Sequence, residues 1–195
     1  MKTINKLTQI TYEVNKSKFI CYLMSYSEYT KNMQELKSEH PKARHYVYAY
    51  RYINEFDQIV ENQSDDGEPK GSSGPPALAV LRGNDLVNTA AIIVRYFGGI
   101  KLGVGGLVRA YGKSVNLALD QVLRSNNISN YTKQMTKTFS IKLSLLSTVE
   151  FYLKSLTPMS IEREFFGEKC TLFITSTEEN LDQVESYLAQ NNIAQ

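Results

Sequence analysis

Residues 89–111 read TAAIIVRYFGGIKLGVGGLVRAY, and this stretch decides the fold of the first part of the chain. Residues 89–97 hold Ala-Ala-Ile-Ile-Val without alternating polar positions, which predicts a central strand buried on both faces of a sheet. A glycine-rich turn over residues 98–104 follows, and then a helix over residues 105–124. The apolar stripe predicted for this helix comprises Val108, Tyr111, Val115, Ala118 and Val122.

The junction between this strand and this helix predicts a site for negative charge. A helix start has N–H groups without intrahelical partners and lies at the positive end of the helix dipole. Ten of the eleven glycines lie between Gly67 and Gly112, and glycine clusters where the backbone needs a positive φ or a close approach. Neither a P-loop ending in Gly-Lys-Ser/Thr nor a GxGxxG fingerprint is present, so these two nucleotide-binding motifs are excluded.

The predicted anion or nucleic-acid site combines basic side chains with glycines of the turn and the helix start. Lys101 lies in the turn. Arg109 and Lys113 lie four residues apart on the helix, on the face opposite the apolar stripe. An alternative is that the glycines serve only a tight turn and close helix packing. The residues of the predicted site are Arg95, Lys101, Gly103, Gly105, Gly106, Arg109 and Lys113.

A second cluster, Ser64-Asp65-Asp66-Gly67-Glu68-Pro69, lies in a polar stretch over residues 54–74 that predicts a long loop. The carboxylates of Asp65, Asp66 and Glu68 can bind a divalent cation through hard oxygen ligands. They can instead pair with the basic side chains of the glycine-rich turn. A third interpretation is a solvated turn in which Asp and Gly supply the geometry.

His45 lies on a strand predicted over residues 44–53, where alternation separates it from a row of tyrosines. His45 is either structural or a general base beside Asp66 or Glu68, which makes it a candidate for proton transfer. The tyrosines either pack the sheet or, on an open face, form a stacking platform for single-stranded bases. They are Tyr46, Tyr48, Tyr50 and Tyr52.

The flanking sequence predicts the remaining elements. In the first part these are strands over 11–14 and 19–25, a helix with Ser27 as its N-cap that reaches about His40, and a short helix over 75–81. After a polar stretch at 125–133, the tail predicts a strand over 136–143, a helix over 145–156, a hairpin of 161–166 and 169–175, and a helix over 181–188. This order matches a ferredoxin-like sandwich without its last strand. We expect two domains, residues 1–133 and 134–195.

Charge and cysteine content narrow the class of protein. Residues 1–133 carry 17 Lys and Arg against 12 Asp and Glu, whereas residues 134–195 carry 5 against 8. A basic first part and an acidic second part indicate two units with different roles. Cys21 and Cys170 lie in apolar runs without a CxxC pair, which predicts buried, reduced thiols and no cofactor or structural metal. No apolar stretch of about 18 residues occurs, so we expect a cytoplasmic protein without membrane contact.

Taken together, five segments resemble the IMPACT/YigZ family in order and spacing. They cover His45–Tyr50, Ser64–Pro69, Gly74–Pro76, Arg95–Gly103 and Gly105–Tyr111. The resemblance extends over roughly residues 10–125, and the tail resembles the small C-terminal domain of the bacterial branch. It implies an α+β protein with a ribosomal protein S5 domain 2-like α/β domain, followed by a ferredoxin-like sandwich similar to the last domain of elongation factor G.

The resemblance also implies a function. The eukaryotic relatives regulate translation under amino-acid starvation, and the bacterial branch looks like a nucleic-acid or ribosome-associated group. The residues that match the family motifs are His45, Asp65, Asp66, Glu68, Arg95, Lys101 and Arg109.

Three hypotheses follow for the function. In the first, the chain is a non-enzymatic, translation-linked regulatory protein that binds RNA, the ribosome or another anionic partner through the glycine-rich basic loop. The second is an enzyme that acts on a phosphate-bearing small molecule, using the acidic loop and the Lys/Arg anion site. The third is an interaction module in which the acidic second domain docks on a protein partner of the translation machinery.

Overall fold

The computed structural model describes residues 1–156 and 159–193 of the chain. It divides into two compact units, Met1–Tyr131 and Thr132–Gln195. The division falls inside the polar stretch at 125–133.

The N-terminal unit is a mixed α/β structure. Its elements are β1 (Lys2–Ile4), β2 (Thr8–Val14), β3 (Ser17–Ser25), α1 (Tyr29–Glu39), β4 (His45–Ile53), β5 (Ile59–Ser64), α2 (Gly74–Gly83), β6 (Thr89–Tyr96), α3 (Gly103–Arg124) and β7 (Ile128–Asn130).

Five of these strands form one antiparallel sheet in the order β2-β3-β6-β4-β5. Strand β6 lies at the centre, and its residues Thr89–Arg95 are buried, as the unbroken apolar run predicted. Cys21, Ala91 and Ile93 belong to the core shared with α2 and α3, whereas Ile92 and Val94 face α1. Helices therefore cover both faces of the sheet, which is why β6 lacks polar alternation although the sheet is antiparallel.

Some predictions for this unit were wrong. The loop predicted over residues 54–74 contains β5, whose Glu61, Asn62 and Gln63 resemble a loop because an edge strand faces solvent. Helix α3 begins at Gly103, two residues before its predicted start. Val108 is 38% exposed, and Leu107 is buried in its place. Ser27 lies in a 3-10 turn and does not cap α1.

The C-terminal unit contains β8 (Met135–Lys142), α4 (Leu146–Leu153), β9 (Ser160–Phe166), β10 (Lys169–Ser176) and α5 (Glu178–Gln190). This element order confirms the predicted succession of strands and helices. The three strands are antiparallel in the order β8-β10-β9. Alternate residues of β10, including Cys170, Leu172 and Ile174, pack against apolar residues of α4 and α5. Cys21 and Cys170 are both buried, free thiols.

In the part of the chain that the structure describes, no helix is long and apolar enough to span a membrane.

Candidate anion-binding site beside the glycine-rich loop

The loop over residues 97–102 joins the central strand β6 to α3 and is attached to the turn between β2 and β3. The Gly98 N–H donates a hydrogen bond to Ser17 Oγ at 3.1 Å. A Cβ atom on Gly98 would lie 2.0 Å from the backbone carbonyl carbon of Lys16, so no larger residue fits there. Gly103 has φ of +68°, a left-handed conformation that favours glycine. At these two positions glycine serves the turn and its packing.

The start of α3 is uncapped by side chains. Leu102 occupies the N-cap position, and no side chain accepts a hydrogen bond from the first turn. The first N–H groups of an α-helix have no intrahelical acceptors, and they lie at the positive end of the dipole. Leu102, Gly103 and Val104 line a cavity, so this end of the helix borders a space that a ligand can enter.

The cavity has a volume of about 440 Å³ and lies between the acidic loop and the start of α3. Its polar lining carries three cationic side chains, one carboxylate and one imidazole, namely Arg44, Arg95, Lys101, Glu68 and His45. Its apolar lining comprises Pro69, Phe97, Leu102, Val104 and Leu107. The structure thus places the predicted basic residues Arg95 and Lys101 in one cavity with the predicted residues His45 and Glu68.

Glu68 and Arg95 form a buried ion pair in the lining of this cavity. The Glu68 and Arg95 side chains are 3% and 7% exposed, and Arg95 Nη1 donates to Glu68 Oε1 at 2.5 Å. The buried Tyr111 hydroxyl donates to the same oxygen at 2.8 Å. Burial and the nearby Glu68 carboxylate raise the pKa of Tyr111, so this phenol remains a proton donor.

Arg95 is less completely paired than its burial would lead one to expect. Its Nε is buried and has no hydrogen-bond partner within the described part of the chain. Its guanidinium carbon lies 5.4 Å from the ring centre of Phe19 and 5.7 Å from that of Phe97. A buried donor without an acceptor costs free energy.

His45 of β4 pairs in register with Arg95 of β6. Its Nδ1 lies 2.8 Å from the carbonyl oxygen of Asp66, and a carbonyl can only accept, so Nδ1 carries the hydrogen. In neutral imidazole the lone pair is then on Nε2, which lies 3.9 Å from Glu68 Oε1. The loop backbone therefore fixes the tautomer that leaves Nε2 able to accept a proton.

Asp65 and Asp66 hold the acidic loop in place. Asp65 accepts hydrogen bonds from the backbone N–H groups of Gly71, Ser73 and Gly74 at 2.7, 3.0 and 2.9 Å. Burial opposes ionisation of this carboxyl, but these hydrogen bonds outweigh it and lower its pKa. Asp66 Oδ2 accepts from the Tyr46 N–H at 2.6 Å.

The three carboxylates of the acidic cluster therefore have separate partners. Glu68 pairs with Arg95, whereas Asp65 and Asp66 stabilise the turn. Within residues 1–156 and 159–193, no group of three His, Cys, Asp or Glu side chains is arranged to hold a metal ion.

Arg109 and Lys113 line a different cavity, of about 630 Å³, between α3 and the end of β2 with the turn that follows it. Gly106 also lines it, and Leu102 borders both cavities. The single predicted site is thus divided into two neighbouring cavities. Among the described residues, Lys101, Arg109 and Lys113 form no ion pair with a carboxylate. Gly105 lies in the first turn of α3 and lines neither cavity.

Sequence reasoning missed the apolar part of the first cavity. Phe97 and Val104 are 52% and 57% exposed, although both line it. The available signal was their position, because each directly adjoins a glycine of the loop or helix start. Arg44 was also missed, since it precedes its strand and carries no motif.

The tyrosine row packs against other tyrosines. Tyr26 stacks on Tyr52 with ring centres 4.2 Å apart, and Tyr29 lies 5.4 Å from Tyr48 and 5.2 Å from Tyr50. These rings belong to or adjoin the core between the sheet and α1. The packing interpretation therefore accounts for the row, and the structure gives no support to a stacking platform there.

The face of the C-terminal sheet opposite α4 and α5 is mainly polar. The positions that alternate with the buried core residues of β8 and β10 are Thr136, Thr138, Ser140, Lys142, Lys169, Thr171, Phe173 and Thr175. Phe173 is the half-buried apolar exception among them, and on β9 Phe166, which pairs with Lys169 on the same face, is 88% exposed. A surface of this kind gives the protein-interaction hypothesis little support.

Comparison with known proteins agrees with the motif analysis. Residues 15–119 match the family model of the Impact N-terminal domain. Over 112 residues the chain is 47% identical to the IMPACT family member YvyE of Bacillus subtilis, covering 56% of this chain and 51% of that protein. Over 127 residues it is 43% identical to the IMPACT family member YigZ of Escherichia coli, covering 63% and 62%.

The chain spans between half and two thirds of the length of these curated relatives. A crystal structure of a hypothetical protein superposes with a TM-score of 0.73 and 30% identity, over 97% of this chain and 91% of that one. The segment that matches the family model contains every residue of both cavities except Tyr12 and Val14. The chain therefore belongs to the IMPACT family, through its N-terminal domain.

Proposed function

We propose that this protein is a non-enzymatic, translation-linked regulatory protein that binds RNA through the glycine-rich basic loop. The observation that carries the proposal is the convergence of Lys101, Arg95 and the uncapped start of α3 on one cavity. Family membership supports the link to translation, because the resemblance associates the family with translational control. RNA of the ribosome is one source of this ligand, and a protein partner of the translation machinery is the alternative. The site of action is the cytoplasm.

The division of the cations between two cavities favours an extended ligand. Arg109 and Lys113 are separated by about 6 Å along the axis of α3, at 1.5 Å per residue. They follow the helix away from the cavity that holds Lys101, and the two cavities meet at Leu102. A single nucleic-acid strand carries regularly spaced phosphates, which suit a row of unpaired cations.

We also propose a specific fold for each of the two units. The N-terminal unit corresponds to a ribosomal protein S5 domain 2-like domain, with residues 1–133 as the domain. The C-terminal unit, residues 134–195, corresponds to a ferredoxin-like sandwich similar to the last domain of elongation factor G. Its strand order β8-β10-β9 supports this assignment.

The proposal is tested by the affinity of the protein for a short single-stranded RNA at low salt. The double variant Lys101→Ala/Arg109→Ala should bind about 10-fold or more weakly, because each lost phosphate contact removes a favourable electrostatic interaction. Lys31→Ala is the matched control, since Lys31 lies on α1, on the opposite side of the sheet, and pairs with Glu35. Equal affinities for the wild type and the double variant would overturn the proposal.

A second candidate function rests on His45. Its tautomer is fixed by the Asp66 carbonyl, and its side chain lines the cavity that contains Lys101 and Arg95. This arrangement suits a general base acting on a phosphate-bearing small molecule. The enzyme hypothesis predicts turnover of a phosphoester panel by the wild type and loss of that turnover in His45→Gln. Binding without catalysis predicts no turnover by either protein.

A further inference from the structure

The apolar half of the lining of the first cavity has no role in binding phosphate. Phe97 is more than half exposed, although a phenyl ring in a monomeric protein ordinarily gains free energy by burial. Val104, on the first turn of α3, is also more than half exposed and lines the same cavity. The cavity therefore joins an apolar surface with an aromatic ring to an anion-binding helix start.

We infer that this cavity receives one unpaired nucleotide of the bound RNA, with the base stacked on Phe97 and a phosphate at Lys101 and the start of α3. The inference rests on the proposed function and names the ligand unit that this cavity accepts. A nucleotide combines a flat, partly apolar ring system with a phosphate, and the lining combines surfaces for both.

The charge of the cavity lining favours a nucleotide over an apolar peptide as its ligand. The lining holds Arg44, Arg95 and Lys101 against the single carboxylate of Glu68. Glu68 is already engaged by Arg95 and by the Tyr111 hydroxyl, so the excess charge available to a ligand is positive. An apolar peptide would give Arg44 and Lys101 no anionic partner, whereas a phosphate compensates their charge.

The arrangement around Phe97 also suits a stacked base. The guanidinium of Arg95 lies 5.7 Å from the ring centre of Phe97 and is itself buried. Among the described residues its Nε has no hydrogen-bond partner. The cavity volume of about 440 Å³ falls within the range of small-ligand sites, roughly 300–1,000 Å³.

Base stacking on an aromatic side chain contributes about 1–3 kcal/mol per base, which corresponds to about 5- to 150-fold in affinity. Phe97→Ala should therefore weaken binding of a short single-stranded RNA by such a factor. Phe97→Tyr should retain most of the affinity, because the ring is kept. Phe151→Ala is the matched control, since Phe151 is a highly exposed phenylalanine of the C-terminal unit.

A comparison of two small ligands, one with a base and one without, shows whether the base contributes to the affinity through Phe97. Adenosine 5′-monophosphate should bind the wild type at least 5-fold more tightly than ribose 5-phosphate, and the two should bind Phe97→Ala equally. Thermal unfolding of each variant establishes that the fold is retained, and Phe97→Tyr keeps the test decisive if Phe97→Ala unfolds.

The failures of the inference and of the proposed function are distinguishable. If Phe97→Ala binds RNA as the wild type does while Lys101→Ala/Arg109→Ala binds weakly, the protein binds RNA but no base stacks on Phe97. If neither variant changes the affinity, both ideas are wrong. Equal binding of adenosine 5′-monophosphate and ribose 5-phosphate to the wild type would also overturn the stacked base.

Discussion

Two buried arginines on neighbouring strands of the N-terminal sheet pair with glutamates, yet they differ in how completely they are bonded. Arg51 of β4 donates from Nε to Glu61 at 2.6 Å and from Nη1 to the Leu86 carbonyl at 2.8 Å. Glu61 also accepts from Arg82 Nε at 2.8 Å. Arg95 of β6 donates to Glu68, but its Nε has no partner and its side chain lines a cavity.

The difference distinguishes an ion pair that stabilises the fold from an ion pair that also lines a candidate binding site. The Arg51 network joins β4, β5, α2 and the segment after α2, and Glu61 accepts hydrogen bonds from both Arg51 and Arg82. The Arg95 pair holds a positive charge beside a cavity that already contains Lys101 and the start of α3.

The largest expected effect concerns the two glutamates. Glu68→Ala should lower the free energy of unfolding by about 3–5 kcal/mol, because it leaves the buried Arg95 charge uncompensated. Glu61→Ala should cost less, about 1–3 kcal/mol, because Arg51 keeps its backbone acceptor and Arg82 is exposed. Urea unfolding of both variants measures the two costs. A larger loss for Glu61→Ala would contradict the ranking of the two networks.

A smaller effect concerns the loop that presents Glu68 to Arg95. The pKa of Asp65 is lowered in the folded state, so its charged form stabilises the fold at pH values above the ordinary pKa of about 3.9. This contribution is lost as the pH falls through the folded-state pKa. Asp65→Asn should lower the free energy of unfolding by about 1–2 kcal/mol at pH 7.

The same variant should differ progressively less from the wild type as the pH falls below about 4, because Asp65 then becomes protonated in the unfolded chain and, at its lower pKa, in the folded state. Unfolding curves at pH 7, 5 and 3 measure this. A difference that stays constant across the range would show that the charge of Asp65 does not stabilise the loop.

The sequence predicted the centre of the fold better than its edges. Burial on both faces leaves an unbroken apolar run, so β6 was recognisable from residues 89–97 alone. Strand β5 was not, because one of its edges faces solvent and Glu61, Asn62 and Gln63 read as a loop. The strands β1 and β7 are three residues each, too short for a periodic pattern.

The sequence predicted individual residues of the candidate site, but it did not predict how these residues are arranged in space. The pairing of Glu68 with Arg95 depends on the register of β4 and β6 and on the path of the acidic loop, which sequence spacing does not give. The division of Lys101 and Arg109 between two cavities depends on how α3 packs beside the β2–β3 turn. Phe97 and Val104 were missed because exposed apolar residues are common and carry no signal by themselves.

The central claim is that Lys101 and Arg109 contact phosphates, and the salt dependence of RNA affinity tests it most directly. For single strands, each phosphate contact contributes about 0.7 to the slope of log Kobs against log salt concentration. The slope of Lys101→Ala/Arg109→Ala should therefore be smaller in magnitude than that of the wild type by about 1.4. A slope equal to that of the wild type, with Lys31→Ala also unchanged, would contradict phosphate binding at the glycine-rich loop.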